Sequence, residues 1–199
     1  MHRILYFLFL TVILFGCSKD ELEYQNEFDK SYKAWLQYKQ NNKSYSYTAK
    51  TTSWIGTSTH TTITIENNQV SKRDFKYVRI GSKAIPENGW TKQLAIEALK
   101  EIGYTENEIS SSFGNEIIDK LQWVENKEDL GNNGNAEQLM TLEQIYDKAK
   151  NDWITKRPNS QIYFEAKNNG LISTAGYVPD GCMDDCFVGI KIISIQNIN

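Results

Sequence analysis

Phe28, Tyr32, Trp35 and Leu36 fall at i, i+4, i+7 and i+8, with charged and amide residues between them. That single apolar stripe predicts an amphipathic helix from about Leu22 to Gln40, ended by Asn41-Asn42-Lys43. From Tyr45 the period changes from helical to alternating. Tyr45 to Trp54 reads as a strand, Ile55-Gly56-Thr57-Ser58 as a turn, and Thr59 to Glu66 as a second strand. Asn67-Asn68 offers the positive φ that a tight hairpin needs, so Gln69 to Ile80 reads as a third strand. Alternation puts His60, Thr62 and Thr64 on one face and Thr61, Ile63 and Ile65 on the other. The pattern is a helix followed by a three-stranded meander.

Pro86-Glu87-Asn88-Gly89 then breaks the chain. Thr91 can cap a helix through Ile102, with Leu94, Ala98, Leu99 and Ile102 on one side and Gly103 as its stop. Thr105 with Glu108 has the spacing of a capping box for a second short helix. These two helices make a small insertion at about 81–118. Leu121 to Val124 returns to the sheet, and the polar, Gly/Asn-rich stretch Glu125 to Gln138 reads as a mobile loop. Thr141 opens a further helix whose buried side is Leu142, Ile145, Ala149 and Trp153, ending at Arg157-Pro158. Ile162 to Lys167 and Leu171 to Tyr177 are strands joined at Asn168-Asn169-Gly170, and Phe187 to Gln196 closes the chain. The fold class is α+β, with one domain over 28–199.

The start of the chain is different in kind. Behind Arg3, Ile4 to Phe15 form a twelve-residue apolar core. As a helix it spans about 18 Å, short of the ~30 Å hydrocarbon layer, which makes it a signal-peptide core and not a membrane-spanning segment. Leu14-Phe15-Gly16-Cys17 resembles a lipobox, although Phe15 is bulkier than the usual small residue. The same bulk fits ordinary signal-peptidase cleavage poorly. The resemblance implies a signal peptide over 1–16, a lipidated Cys17 and an acidic tether over 17–27. Ser18, in place of the aspartate that retains lipoproteins in the inner membrane, points to the outer membrane. The lysine-plus-acids run in Ser18-Lys19-Asp20-Glu21-Leu22-Glu23 resembles a surface-export tag, with a plain solvated tether as the alternative. On this reading the protein belongs to the cell envelope, with the membrane itself as a partner and the face of the membrane left open.

Charge and cysteine count narrow the chemistry further. A formal net charge of −3 argues against nucleic acid, which needs a basic stripe. With Cys17 assigned to lipid, Cys182 and Cys186 remain as a pair, expected to be a disulfide in an oxidising compartment. Their small ring is worth only about 2 kcal/mol by chain entropy, and the C-x3-C spacing is not a redox motif. The loop between them carries Asp180, Asp184 and Asp185, which are candidate calcium ligands, though the spacing is not that of an EF-hand. After the first helix begins, His60 is the sole histidine, so two-histidine zinc motifs are excluded. There is no G-x-S-x-G, P-loop or G-x-G-x-x-G sequence. No catalytic set and no cofactor motif is present, and only a carboxylate pair of the glycosidase kind stays open.

Tyr45-Ser46-Tyr47, the turn Ile65-Glu66-Asn67-Asn68-Gln69-Val70 and the helix start Met140-Thr141-Leu142-Glu143-Gln144-Ile145-Tyr146 resemble a bacterial family of unknown function, DUF6174. The resemblance runs from about Asp29 onwards. It implies an N-terminal helix and a later helix packed on a curved antiparallel sheet, similar to cystatin-like or PepSY-like domains. It transfers no activity. The expectation is therefore a membrane-anchored, non-catalytic domain that binds a protein, peptide or envelope polymer. A small envelope hydrolase using Asp180, Asp184 or Asp185, and an inhibitor or immunity-type lipoprotein, are the alternatives.

Overall fold

A computed structural model describes residues 22–198. The expected signal peptide, Cys17 and the first part of the tether lie outside the described residues. Those residues form five α-helices and an eight-stranded antiparallel sheet. Helix α1 is Gln25–Asn41. The meander follows as β1 (Tyr45–Thr52), β2 (Thr57–Glu66) and β3 (Gln69–Ile80), with the short β4 at Lys83–Ala84. Next come α2 (Lys92–Glu101), α3 (Glu106–Ser112), α4 (Ile117–Leu121) and β5 (Gln122–Asn126). Helix α5 (Leu142–Lys148) runs into a π-type turn at Ala149–Trp153, and β6 (Ser160–Glu165), β7 (Thr174–Pro179) and β8 (Val188–Asn197) close the chain. Strand order is β4-β3-β2-β1-β8-β7-β6, with β5 also pairing with β3. This is the α+β arrangement of helices on a curved antiparallel sheet.

The local signals behave as their chemistry requires. Asn67 and Asn68 both take positive φ (50° and 64°), and β2 and β3 pair directly across them from Glu66 and Gln69. The Thr105 hydroxyl accepts from Glu108 N while the Glu108 carboxylate accepts from Thr105 N at 2.8 Å, and Thr141 and Gln144 form the same reciprocal box. Strand β8 serves both halves of the sheet: Lys191 and its predecessors pair with β7, and Ile192 to Asn197 pair with β1. At the junction Gly176 faces Gly189. Gly189 has φ +151°, and a side chain there would run into Ala175 O and Gly176 Cα. Only glycine lets the strands close at that point.

Helices α1 and α5 cover one face of the sheet. The core between them holds Phe28, Trp35, Tyr45, Tyr47, Ile63, Ile65, Ile145, Tyr146 and Ile192 among others, and a second, smaller core joins Ile80 and Trp90 to α2, α3 and α4. Tyr45, Tyr47 and Tyr146 staple the layers, because each of their hydroxyls finds a partner in a distant part of the chain. Tyr45 Oη accepts from Leu142 N at 2.9 Å, and Tyr47 Oη donates to Met140 O at 2.8 Å. Tyr146 Oη meets Ser31 Oγ at 2.7 Å and accepts from Ile172 N at 2.9 Å, tying α1, α5 and the β6–β7 connection to one atom. A buried hydroxyl left without such partners costs about 1–3 kcal/mol.

Candidate functional site

The alternation that fills the covered face sends the other half of each strand outward. On β1, β2 and β3 the open face carries Ser46, Thr48 and Lys50; His60, Thr62 and Thr64; Lys72, Asp74 and Lys76, none of them fully buried. Register then decides which of these stand side by side. Lys50 pairs with His60, and His60 pairs with Lys76, so three basic side chains form one row across three strands. The next row is hydroxyl-rich, with Thr48 Oγ1 and Thr62 Oγ1 2.9 Å apart. Beyond Lys50 the basic track continues into an open cleft of about 460 Å³ lined by Lys50, Thr52, Lys191, Lys167 and Glu165 among others.

Like charges directly opposite one another in a sheet are destabilising. Among the described residues, none forms an ion pair with Lys50, Lys72, Lys76 or Lys191. Lys191 instead stands over the Phe187 ring at 4.7 Å, and of the cleft lysines only Lys167 is neutralised, by Glu165 at 2.6 Å. Asp74 is the one carboxylate within the three rows, between Lys72 and Lys76 on β3. The field is felt by His60. Partial burial, then Lys50 and Lys76, push its imidazole below the ordinary histidine value. An anion laid along the row would relieve all three basic groups at once.

No family model, curated protein or solved structure matches the chain. The site therefore has to be judged on its own geometry.

The residues singled out by the sequence fare unequally. Cys182 and Cys186 lie at disulfide distance, with Cα atoms 6.1 Å apart. The aspartates around them do not converge. The Asp185 carboxylate accepts from Ser53 Oγ at 2.5 Å and from Trp54 N at 3.0 Å, which ties the loop to the β1–β2 turn. Asp180 lies in a separate cleft with Glu23, Lys156 and Arg157. Among the described residues no group of three or more His, Cys, Asp or Glu side chains is placed to hold a metal ion. Of the calcium candidates Asp180, Asp184 and Asp185, the first and last are thus drawn to different neighbours.

A correction concerns Glu125 to Gln138, expected as a mobile loop, whose first two residues belong to β5. Glu125 sits on β5 in the covered phase, opposite Arg73 on β3, and both are buried. Arg73 Nε donates to Glu125 Oε2 at 2.9 Å, and its Nη1 and Nη2 donate to Glu137 O and Asn133 O at 3.1 and 2.6 Å. Glu125 also accepts from Gly131 N and Asn133 N at 3.0 and 2.6 Å. Burial alone would raise the Glu125 carboxyl, but these donors outweigh it and hold the group below the usual carboxylate range. The loop is thus folded around an ion pair. Nearby, Glu137 has only Thr51 Oγ1 as a side-chain donor, at 2.8 Å, and burial pushes its carboxyl up.

Proposed function

We propose that this is a lipid-anchored cell-envelope protein, held to the outer membrane through Cys17, that binds an anionic envelope glycan along the open face of its sheet. The lipobox-like Leu14-Phe15-Gly16-Cys17 supports the anchor. One observation carries the binding reading: the cross-strand row Lys50–His60–Lys76, unpaired on the exposed face of a chain whose net charge is negative. Neighbouring strands lie about 4.8 Å apart, close to the length of one sugar ring, so the row suits a polymer carrying an acidic group on successive sugars. The flanking Thr48, Thr62 and Thr64 hydroxyls suit the sugar hydroxyls. The resemblance to DUF6174 adds no activity to this reading.

The test is binding of the full mature protein to a polyuronate, a phosphorylated glycan and a neutral glucan, over a range of salt. Retention by either polyanion, weakening with salt and absent for the glucan, is the expected result, and the two acidic probes separate carboxylate from phosphate recognition. The double charge reversal Lys50→Glu/Lys76→Glu is expected to abolish retention while the thermal melt stays cooperative. Equal retention of that variant and the wild type refutes the assignment. Acidification towards the depressed His60 value is expected to tighten binding, since His60 then adds charge between Lys50 on β1 and Lys76 on β3, with Asp74 the opposing neighbour.

A further inference from the structure

A second exposed feature stands at one end of the sheet and is apolar. The β1–β2 turn presents Trp54 at 70% and Ile55 at 40% exposure, and the disulfide loop presents Met183 at 91%. These are not loose ends. Asp185 binds Ser53 and Trp54 as described above, Ser53 N donates to Thr57 O at 2.9 Å, and Gly81 N donates to Gly56 O at 3.1 Å. The Cys182–Cys186 bond closes the loop at its base. Three large apolar side chains are therefore held out on a braced platform, a feature that marks an interaction site.

The position of the tether says what that platform meets. Leu22 bridges to Thr155, Glu23 N donates to Ile154 O, and Glu23 shares a cleft with Asp180. Asp180 is the residue before Gly181 in the disulfide loop, and Asp180 N donates to Asn159 O beside the start of β6. The chain thus enters the fold at the same end of the sheet as the apolar platform. From β6 to β1 is three strand spacings, about 14 Å. Only Ser18 to Glu21 separate Cys17 from Leu22, and five residue steps span at most about 18 Å whatever their conformation. A lipid on Cys17 keeps Leu22, at this end of the sheet, within that distance of the bilayer.

We infer that Trp54, Ile55 and Met183 dock into the interfacial layer of the membrane that holds the lipidated Cys17. The inference rests on the anchor reading above. Tryptophan favours the interface between headgroups and acyl chains, and the tether makes docking intramolecular, so weak insertion is sufficient for occupancy. Asp184 follows Met183 directly in the chain, so uncharged lipid surfaces are favoured over anionic ones. Docking at this end also leaves the basic face of the sheet turned to the side, open to a polymer, and not pressed against lipid.

The experiment places the full mature protein, with Cys17 lipidation established by mass spectrometry, in phosphatidylcholine vesicles carrying a shallow or a deep acyl-chain quencher. The wild-type minus Trp54→Phe difference isolates the indole that is 70% exposed. The expected result is a blue-shifted difference spectrum, quenched several-fold more by the shallow probe, and weakened when anionic lipid is added. A lipidated protein whose Trp54 stays fully open to aqueous iodide overturns the docking and leaves the anchor intact. A Cys17 without lipid mass overturns the anchor and the docking with it. Protection of Trp54 on intact cells but not in vesicles also overturns it, since a protein partner then covers the tip.

Discussion

The two faces of one sheet treat charge in opposite ways. On the covered face Arg73 and Glu125 are buried as a pair, bonded to each other and to a loop that folds around them. On the open face, which meets that pair on β3 with the alternation reversed, Lys50, His60 and Lys76 stand in a row with no ion-pair partner among the described residues. Buried charge without compensation costs several kcal/mol, so the covered face has to be satisfied for the chain to fold. Exposed like charges cost a few tenths of a kcal/mol, so the open face can carry an arrangement that stability does not favour. The difference separates what the fold needs from what the fold merely tolerates, and the tolerated feature is where function is best sought.

Breaking the covered face is expected to have the largest effect. Arg73→Ala leaves Glu125 buried without its cation and releases the carbonyls of Asn133 and Glu137, which is expected to cost about 3–5 kcal/mol. Urea unfolding near neutral pH measures it. The sign of the pH dependence follows from the depressed Glu125 value: its stabilisation is present above the ordinary carboxylate value of 4.5 and is lost as pH falls through the lower, folded one. The gap between wild type and Arg73→Ala should therefore narrow on acidification. A gap that is constant with pH would show that the ion pair is not the source.

Next in size is Tyr146→Phe. It removes the hydroxyl shared by Ser31 and Ile172 N and keeps the ring among Phe28, Tyr32 and Trp35. The expected loss is about 1–3 kcal/mol, read by the same denaturation. A loss below a few tenths would mean that the layers are held by the aromatic cluster alone. Glu137→Gln tests a smaller effect of opposite sign. Burial raises the Glu137 carboxyl, so the folded state favours its protonated form. That preference contributes stability below the ordinary value and loses it as pH rises through the folded one. The amide keeps an acceptor for Thr51 and cannot ionise. A higher melting temperature than wild type near neutral pH, with the difference disappearing in acid, is the expected pattern.

How far these faces could be read from the sequence depends on the range of the signal. Helix α1, the meander, the Thr105–Glu108 capping box and the Asn67-Asn68 turn were all legible, because each rests on neighbours within a few positions. The phase of His60 was legible for the same reason. Its neighbours were not: Lys50 and Lys76 meet His60 only through register, which couples residues 10 and 16 positions away. The Arg73–Glu125 pair spans 52 positions. Its trace was nevertheless present, since Arg73 and Glu125 occupy the same alternating phase as Phe75 and Trp123, where an exposed charge does not belong. The loop aspartates left their role open in the sequence because acidity is a local property, whereas convergence on a metal is a tertiary one.

The smallest stability effect sharpens the comparison most, because it predicts two outcomes of opposite sign. Lys50→Thr removes one end of the basic row and supplies a β-branched residue suited to an exposed strand. Relief of the repulsion is expected to raise stability by a few tenths of a kcal/mol. The His60 imidazole should move back towards its ordinary 6.5, followed by its proton resonances through a pH titration. A depressed histidine supports the fold above that value and opposes it as pH falls through the lower, folded one. The advantage of Lys50→Thr should therefore grow on acidification, when His60 gains its proton beside Lys76 alone. Retention by the polyanion should fall in the same variant. A face shaped only by folding would give the gain in stability with binding unchanged; a face kept for a ligand gives the gain and the loss together.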